Sequence, residues 1–136
     1  MTKTMPTSDP GDLPAGTVVV VPFPYSDRLA EKRRPALVVS GPAVAASGFV
    51  WIAMITSARN TALATDVQID DLPAAGLAVP SVVRPLKIAC IEPGRILRAI
   101  GALRHDTAAE VYARLHGMIG TTAGVPNPTS SPEPAP

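Results

Sequence analysis

Residues 36 to 55 form a run of twenty residues without a charge, with Lys32-Arg33-Arg34 just ahead of it. That length and that flank suit a membrane-spanning helix, so this run decides first whether the chain folds in lipid or in water. Its punctuation favours water. Ser40-Gly41-Pro42 and Ser47-Gly48 divide it into ALVVS and FVWIAMI, which read as a strand, a loop and a second strand. A chain of 136 residues is one domain's worth. With two Phe, two Tyr and one Trp against 16 prolines, its core falls to Val, Ile, Leu and Ala, side chains that favour strands.

Taken in order, residues 1–15 mix Thr, Pro, Ser, Asp and Gly and are expected to be a disordered leader. A strand follows from Thr17 to Val21, which Pro22 and Pro24 end or confine to a sheet edge. Residues 25–33 read as a polar, basic loop and 35–40 as the next strand. Pro35 pushes Arg34 toward extended geometry and so holds it at the strand's mouth. The third strand, 49–56, alternates strictly, with Val50, Ile52, Met54 and Thr56 on one face and Phe49, Trp51, Ala53 and Ile55 on the other.

Residues 65–69 alternate like a half-exposed strand, and 72–78 read as a turn ending at Gly76. Around Arg84-Pro85, residues 81–91 fit two short strands or one bent strand, while the spacing in 95–103 fits helix and strand alike. Thr107-x-x-Glu110 reads as a capping box, opening a helix with the apolar stripe Val111, Leu115, Met118 and Ile119, stopped by Gly120. Residues 121–136 are expected to be a Pro-rich disordered tail, leaving 16–120 as the folded domain. Short strands with one terminal helix predict a mostly β fold, a small SH3-like antiparallel barrel with a C-terminal helix over one opening.

The formal net charge of +1 hides a basic stretch, 84–104, that is a candidate phosphate-binding face. Cys90 cannot form an internal disulfide, and Ile88, Ala89 and Ile91 around it predict a buried thiol. A single cysteine, with no apolar signal-peptide core between Met1 and Ala15, suits a reducing cytoplasm. No metal or other cofactor is expected: Asp66, Asp70 and Asp71 lack the spacing of a cation loop and read as a solvated acidic turn. His105 and His116, eleven residues apart, read as surface or capping histidines. Trp51 reads as core, and Tyr25, in the polar loop, is the better candidate for stacking on a base.

The segments GTVVVVPFPYSD at 16–27, KRRPALVVS at 32–40, AMITS at 53–57, GLAVPSVVRPLKI at 76–88 and RILRAIGAL at 95–103 together resemble the MazF/PemK family of toxin endoribonucleases. The resemblance spans about residues 16–119, although Gly16-Thr17 stands where that family has Gly-Asp. It implies a dimer of SH3-like barrels that cleaves single-stranded RNA sequence-selectively without metal and that an acidic antitoxin blocks. It also places the family's active-site arginine on Arg34 and its threonine on Thr56. Lys32, Arg33, Ser57, Tyr25 and Arg84 are expected to contact the substrate. The alternatives are a degenerate member that cuts nothing and a CcdB-like toxin that acts by protein contact.

These residue types also suit the chemistry by themselves. Cleaving RNA through its own 2′-OH requires alignment, charge stabilisation at a five-coordinate phosphorus, and proton transfers. A guanidinium is a fork of donors with no acceptor, suited to two phosphate oxygens, and a threonine hydroxyl can donate to one of them. Arg34 therefore reads as a transition-state stabiliser and not as a general base.

Overall fold

A computed structural model describes residues 13–23 and 32–122. Six strands and three helices follow in chain order: β1 (Thr17–Phe23), β2 (Lys32–Val38), α1 (Pro42–Ala46), β3 (Val50–Ser57), β4 (Val67–Gln68), α2 (Leu72–Ala75), β5 (Ser81–Ile91), β6 (Arg98–Ala102) and α3 (His105–Met118), with a 3-10 turn at Pro93–Arg95. They form one antiparallel sheet in the order β4-β5-β3-β2-β1-β6. The sheet curls into a half-barrel because α2, just after one edge strand, packs on β6, the other edge.

That closure depends on two glycines. A Cβ on Gly101 would stand 2.3 Å from the Ala74 carbonyl oxygen, and one on Gly76 would stand 2.2 Å from that of Ile100. Gly76 also caps α2 with φ 76, in the left-handed region. Asp71 starts the same helix by accepting from the Ala74 N–H at 3.1 Å. The turn expected at 72–78 is thus present, and the mostly β barrel with a C-terminal helix is the observed fold.

The sheet is buried on both faces. Val18, Leu37, Ala53, Ile55 and Val83 pack with Ala108 and Val111 of α3, while Val19, Val21, Ala36, Val38, Val50 and Ile52 pack on the other face with Leu13 and Ile96. Leu13, within the expected leader, therefore belongs to the core; the rest of that leader up to residue 12, and the tail from 123, lie outside the described residues. No helix is long and apolar enough to cross a membrane among the described residues. The uncharged run 36–55 instead supplies the end of β2, the short α1 and most of β3.

Several local expectations are corrected. Lys32 and Arg33 belong to β2 and not to a loop, and with Arg34 they pair with Phe23, Pro22 and Val21. Two prolines sit inside these strands because each lies where the ladder is one-sided. The β1–β6 register stops at Val20, before Pro22, and the β2–β3 register starts at Ala36, after Pro35. β5 is one bent strand: Ala53 pairs with Ile88 and Met54 with Arg84, so Pro85, Leu86 and Lys87 bulge out of the ladder. Residues 98–102 are extended.

In α3 the first helical residue is His105, so Thr107 lies inside the helix and makes no capping box, and Glu110 pairs with Arg114. Trp51, read as core, is 45% exposed. It stands beyond the reach of α3's buried residues, in an apolar groove of about 620 Å³ formed with Leu86, Ile88, Leu115 and Ile119. Cys90, directly across the ladder from Trp51, is exposed as well.

Candidate active site

The site arises where β2 and β3 part. Their ladder runs through Val38–Ile52, Leu37–Ala53 and Ala36–Met54, and then Pro35 has no N–H with which to continue it. Carried on by two residues, the same register sets Arg34 opposite Thr56, both on the face that buries Ala36, Val38 and Ile52. Beyond Ala36, β2 remains paired with β1 alone, and beyond Met54, β3 remains paired with β5 alone. The two residues thus stand on separate strand ends, each held by one paired neighbour. Arg34 is half-buried and Thr56 buried, whereas Lys32 and Arg33 are exposed.

A tight turn follows Thr56. Asn60 N–H donates to the Ser57 carbonyl at 3.1 Å, and Arg59 N–H donates to the Ser57 hydroxyl at 3.1 Å. Ser57 thereby organises the turn that leaves the strand. The turn returns Asn60 to Thr56, and its Nδ2 donates to the threonine Oγ1 at 2.6 Å. Sequence reasoning missed Asn60 within the polar stretch 58–61; the four-residue spacing across a turn was the available signal.

Arg84, expected at the substrate, has its fork committed within the protein. Its Nε and Nη2 donate to the two Asp66 carboxylate oxygens at 3.0 and 2.9 Å, and Nη2 also donates to the Thr61 carbonyl at 2.7 Å. The side chains are 13% and 8% exposed, so Asp66 belongs to a part-buried ion pair and not to a solvated turn. The Arg84 hydrogen bond holds the Asp66 carboxyl below the usual carboxylate range, and the same contact raises the arginine. Leu63 N–H adds a donor to Asp66 at 2.9 Å, and Arg114 donates to the Ala64 and Asp66 carbonyls at 3.2 Å. Two arginines from β5 and α3 therefore brace residues 61–66, just past the turn.

The other expectations scatter. The basic stretch 84–104 makes no single face: Arg84 turns into this brace, Arg95 reaches the Pro22 carbonyl at 3.4 Å, and Arg104 stands by Asp106 at 3.6 Å. His105 and His116 occupy the two ends of α3, which packs on the sheet face opposite to that of Arg34 and Thr56. Tyr25 lies outside the described residues.

Residues 15–119 match the family described as PemK-like, MazF-like toxin of type II toxin-antitoxin systems. Among solved structures the chain is similar to MazF from Deinococcus radiodurans, with a TM-score of 0.62, 25% identity and coverage of 77% of this chain and 94% of that one. It is also similar to the Mycobacterium tuberculosis toxin MazF-mt6, with a TM-score of 0.59, 25% identity and coverage of 74% and 93%. A MazE–MazF complex from Deinococcus radiodurans shares the fold at a TM-score of 0.59 and 24% identity, over 79% of this chain and 94% of that one. No curated protein matches the chain.

Proposed function

The chain belongs to the PemK-like, MazF-like toxins of type II toxin-antitoxin systems, and on that premise we propose that it is a metal-independent, sequence-selective endoribonuclease acting on single-stranded mRNA in the cytoplasm. What supports this reading is the β2–β3 register, which, continued two residues past Ala36–Met54, sets Arg34 opposite Thr56. In the reaction the 2′-oxygen of the RNA attacks the adjacent phosphorus as its proton leaves to a base. The P–O5′ bond breaks, and the departing 5′-oxygen takes up a proton. Arg34 and Thr56 donate to the non-bridging oxygens, whose charge grows as the five-coordinate phosphorus forms. Lys32 and Arg33, exposed on the same strand, hold flanking phosphates.

Cutting through the substrate's own hydroxyl has a chemical signature. A mixed-sequence single-stranded RNA incubated with the purified protein is expected to yield 2′,3′-cyclic phosphate and 5′-hydroxyl ends, unaffected by a chelator and within a few fold of wild-type rate in His105→Ala and His116→Ala. Mapping the ends checks this. Ends bearing 5′-phosphate, or cleavage abolished by chelation, would mean water activated by a metal; no cleavage at all would mean a degenerate member or a toxin acting by protein contact.

The protein is further read as a homodimer. Val19, Val21 and Ile52 are 0, 2 and 1% exposed and belong to the core, so they offer no surface to a partner. The surplus apolar surface is instead Trp51, Leu86, Ile88 and Ile119, at 45, 57, 53 and 65% exposure, and a second copy is its occupant. Sedimentation at tens of micromolar, a concentration chosen as roughly that of ordinary protein affinities, is expected to show a dimer that Leu86→Asp with Ile88→Asp converts to a monomer. A wild-type monomer would overturn the assembly. For inhibition, an acidic antitoxin segment laid over Arg33, Arg34 and residues 25–31 would exclude RNA by charge and bulk, and the Deinococcus radiodurans MazF has been solved together with MazE.

A further inference from the structure

A threonine hydroxyl carries one proton and two lone pairs, and it rotates, so its value as a donor depends on what fixes the rotor. In this chain Asn60 Nδ2 donates to Thr56 Oγ1 at 2.6 Å, and among the described residues no acceptor takes the hydroxyl's own proton. We infer that Asn60 is a positioning residue: its amide occupies a lone pair of Thr56 and so turns the hydroxyl proton away from the turn and toward the β2 strand end that carries Arg34. This deepens the nuclease reading and rests on it.

Asn60 is itself held from both sides. Its N–H is bound to the Ser57 carbonyl at 3.1 Å, and the next residue, Thr61, is bound through its carbonyl to Arg84 at 2.7 Å. Arg84 is in turn anchored on Asp66. The amide therefore meets Thr56 without first having to order the turn, which is the condition under which one neutral hydrogen bond can bias a donor toward a developing charge. An acid at this place would act in reverse. A carboxylate only accepts, so it would draw the Thr56 proton to itself and away from a phosphate oxygen.

Kinetics on a mixed-sequence single-stranded RNA transcript separate these effects. Asn60→Ala is expected to lower kcat by about five- to tenfold, the worth of one hydrogen bond, with KM nearly unchanged. Asn60→Asp should fall further in kcat than Asn60→Ala, and Asn60→Ala should add nothing in a Thr56→Val background, where no hydroxyl remains to be turned. Equal kcat for wild type, Asn60→Ala and Asn60→Asp overturns the assignment, as does the same loss with and without the Thr56 hydroxyl. Should Asn60→Ala not fold, the side-chain amide resonance of Asn60 in folded wild type and Thr56→Val carries the test: a shift supports the contact and identical resonances remove it. A wild type that cuts no transcript overturns the nuclease reading itself, an outcome distinct from a cutting wild type that is indifferent to residue 60.

Discussion

Arg34→Ala is expected to lower the RNA cleavage rate by roughly 10² to 10³, the loss typical of removing one donor from a pre-organised oxyanion site. Alanine removes charge and fork together. Lysine restores a point charge without the planar pair of donors, so Arg34→Lys should still fall steeply but keep more activity than the alanine variant. Thr56, the other residue of the proposed pair, should show the opposite pattern of tolerance. Thr56→Ser keeps the hydroxyl and should be mild, whereas Thr56→Val keeps the buried shape, loses the donor and should fall by a comparable roughly 10² to 10³. Single-turnover rates on one transcript check the series. A Thr56→Val variant as fast as Thr56→Ser would show that the hydroxyl does nothing and that Thr56 only fills space.

Asp66→Ala is expected to destabilise the fold by up to about 3 kcal/mol, because it leaves the part-buried guanidinium of Arg84 without its counter-charge. The pair is 13% and 8% exposed, so solvent cannot simply replace the lost carboxylate. Asp66→Asn keeps the shape and should lose less. A pH dependence follows from the depressed carboxyl of Asp66. Its folded value lies below the unfolded one, so the stabilisation is complete above the ordinary carboxylate value of about 4 and is lost as pH falls through the folded value. Urea unfolding of wild type and Asp66→Asn should therefore show a gap at neutral pH that closes in acid. A gap that persists unchanged at low pH would mean that the ion pair is not its source. Because the same pair holds the Thr61 carbonyl beside Asn60, Asp66→Ala should also slow cleavage at temperatures where it is still folded.

Sequence by itself determined whatever depends on neighbours along the chain. Alternation marked β3, Gly76 marked the end of α2, and helical spacing marked α3, since each is a steric or hydrogen-bonding rule acting over a few residues. The quoted motifs likewise led to the right family and the right barrel. What the sequence left undecided were contacts made by residues far apart in it. Trp51 and Cys90 sit in apolar runs that look like core, yet only the place where α3 stops covering the sheet determines that they are exposed. Arg84 looks like a cation offered to a substrate until folding brings Asp66, eighteen residues earlier, within 3.0 Å of it.

The clearest division falls at Arg34-Pro35. Sequence placed proline chemistry beside a cationic run and so assigned the basic residues to a loop. The fold decided that a strand can run through Pro35, because at that point β2 has a neighbour on only one side and loses no hydrogen bond by lacking an N–H. That same one-sidedness ends the ladder between β2 and β3 at Ala36–Met54, and the proposed pairing of Arg34 with Thr56 follows from continuing that register, a property of strand pairing and not of any local segment.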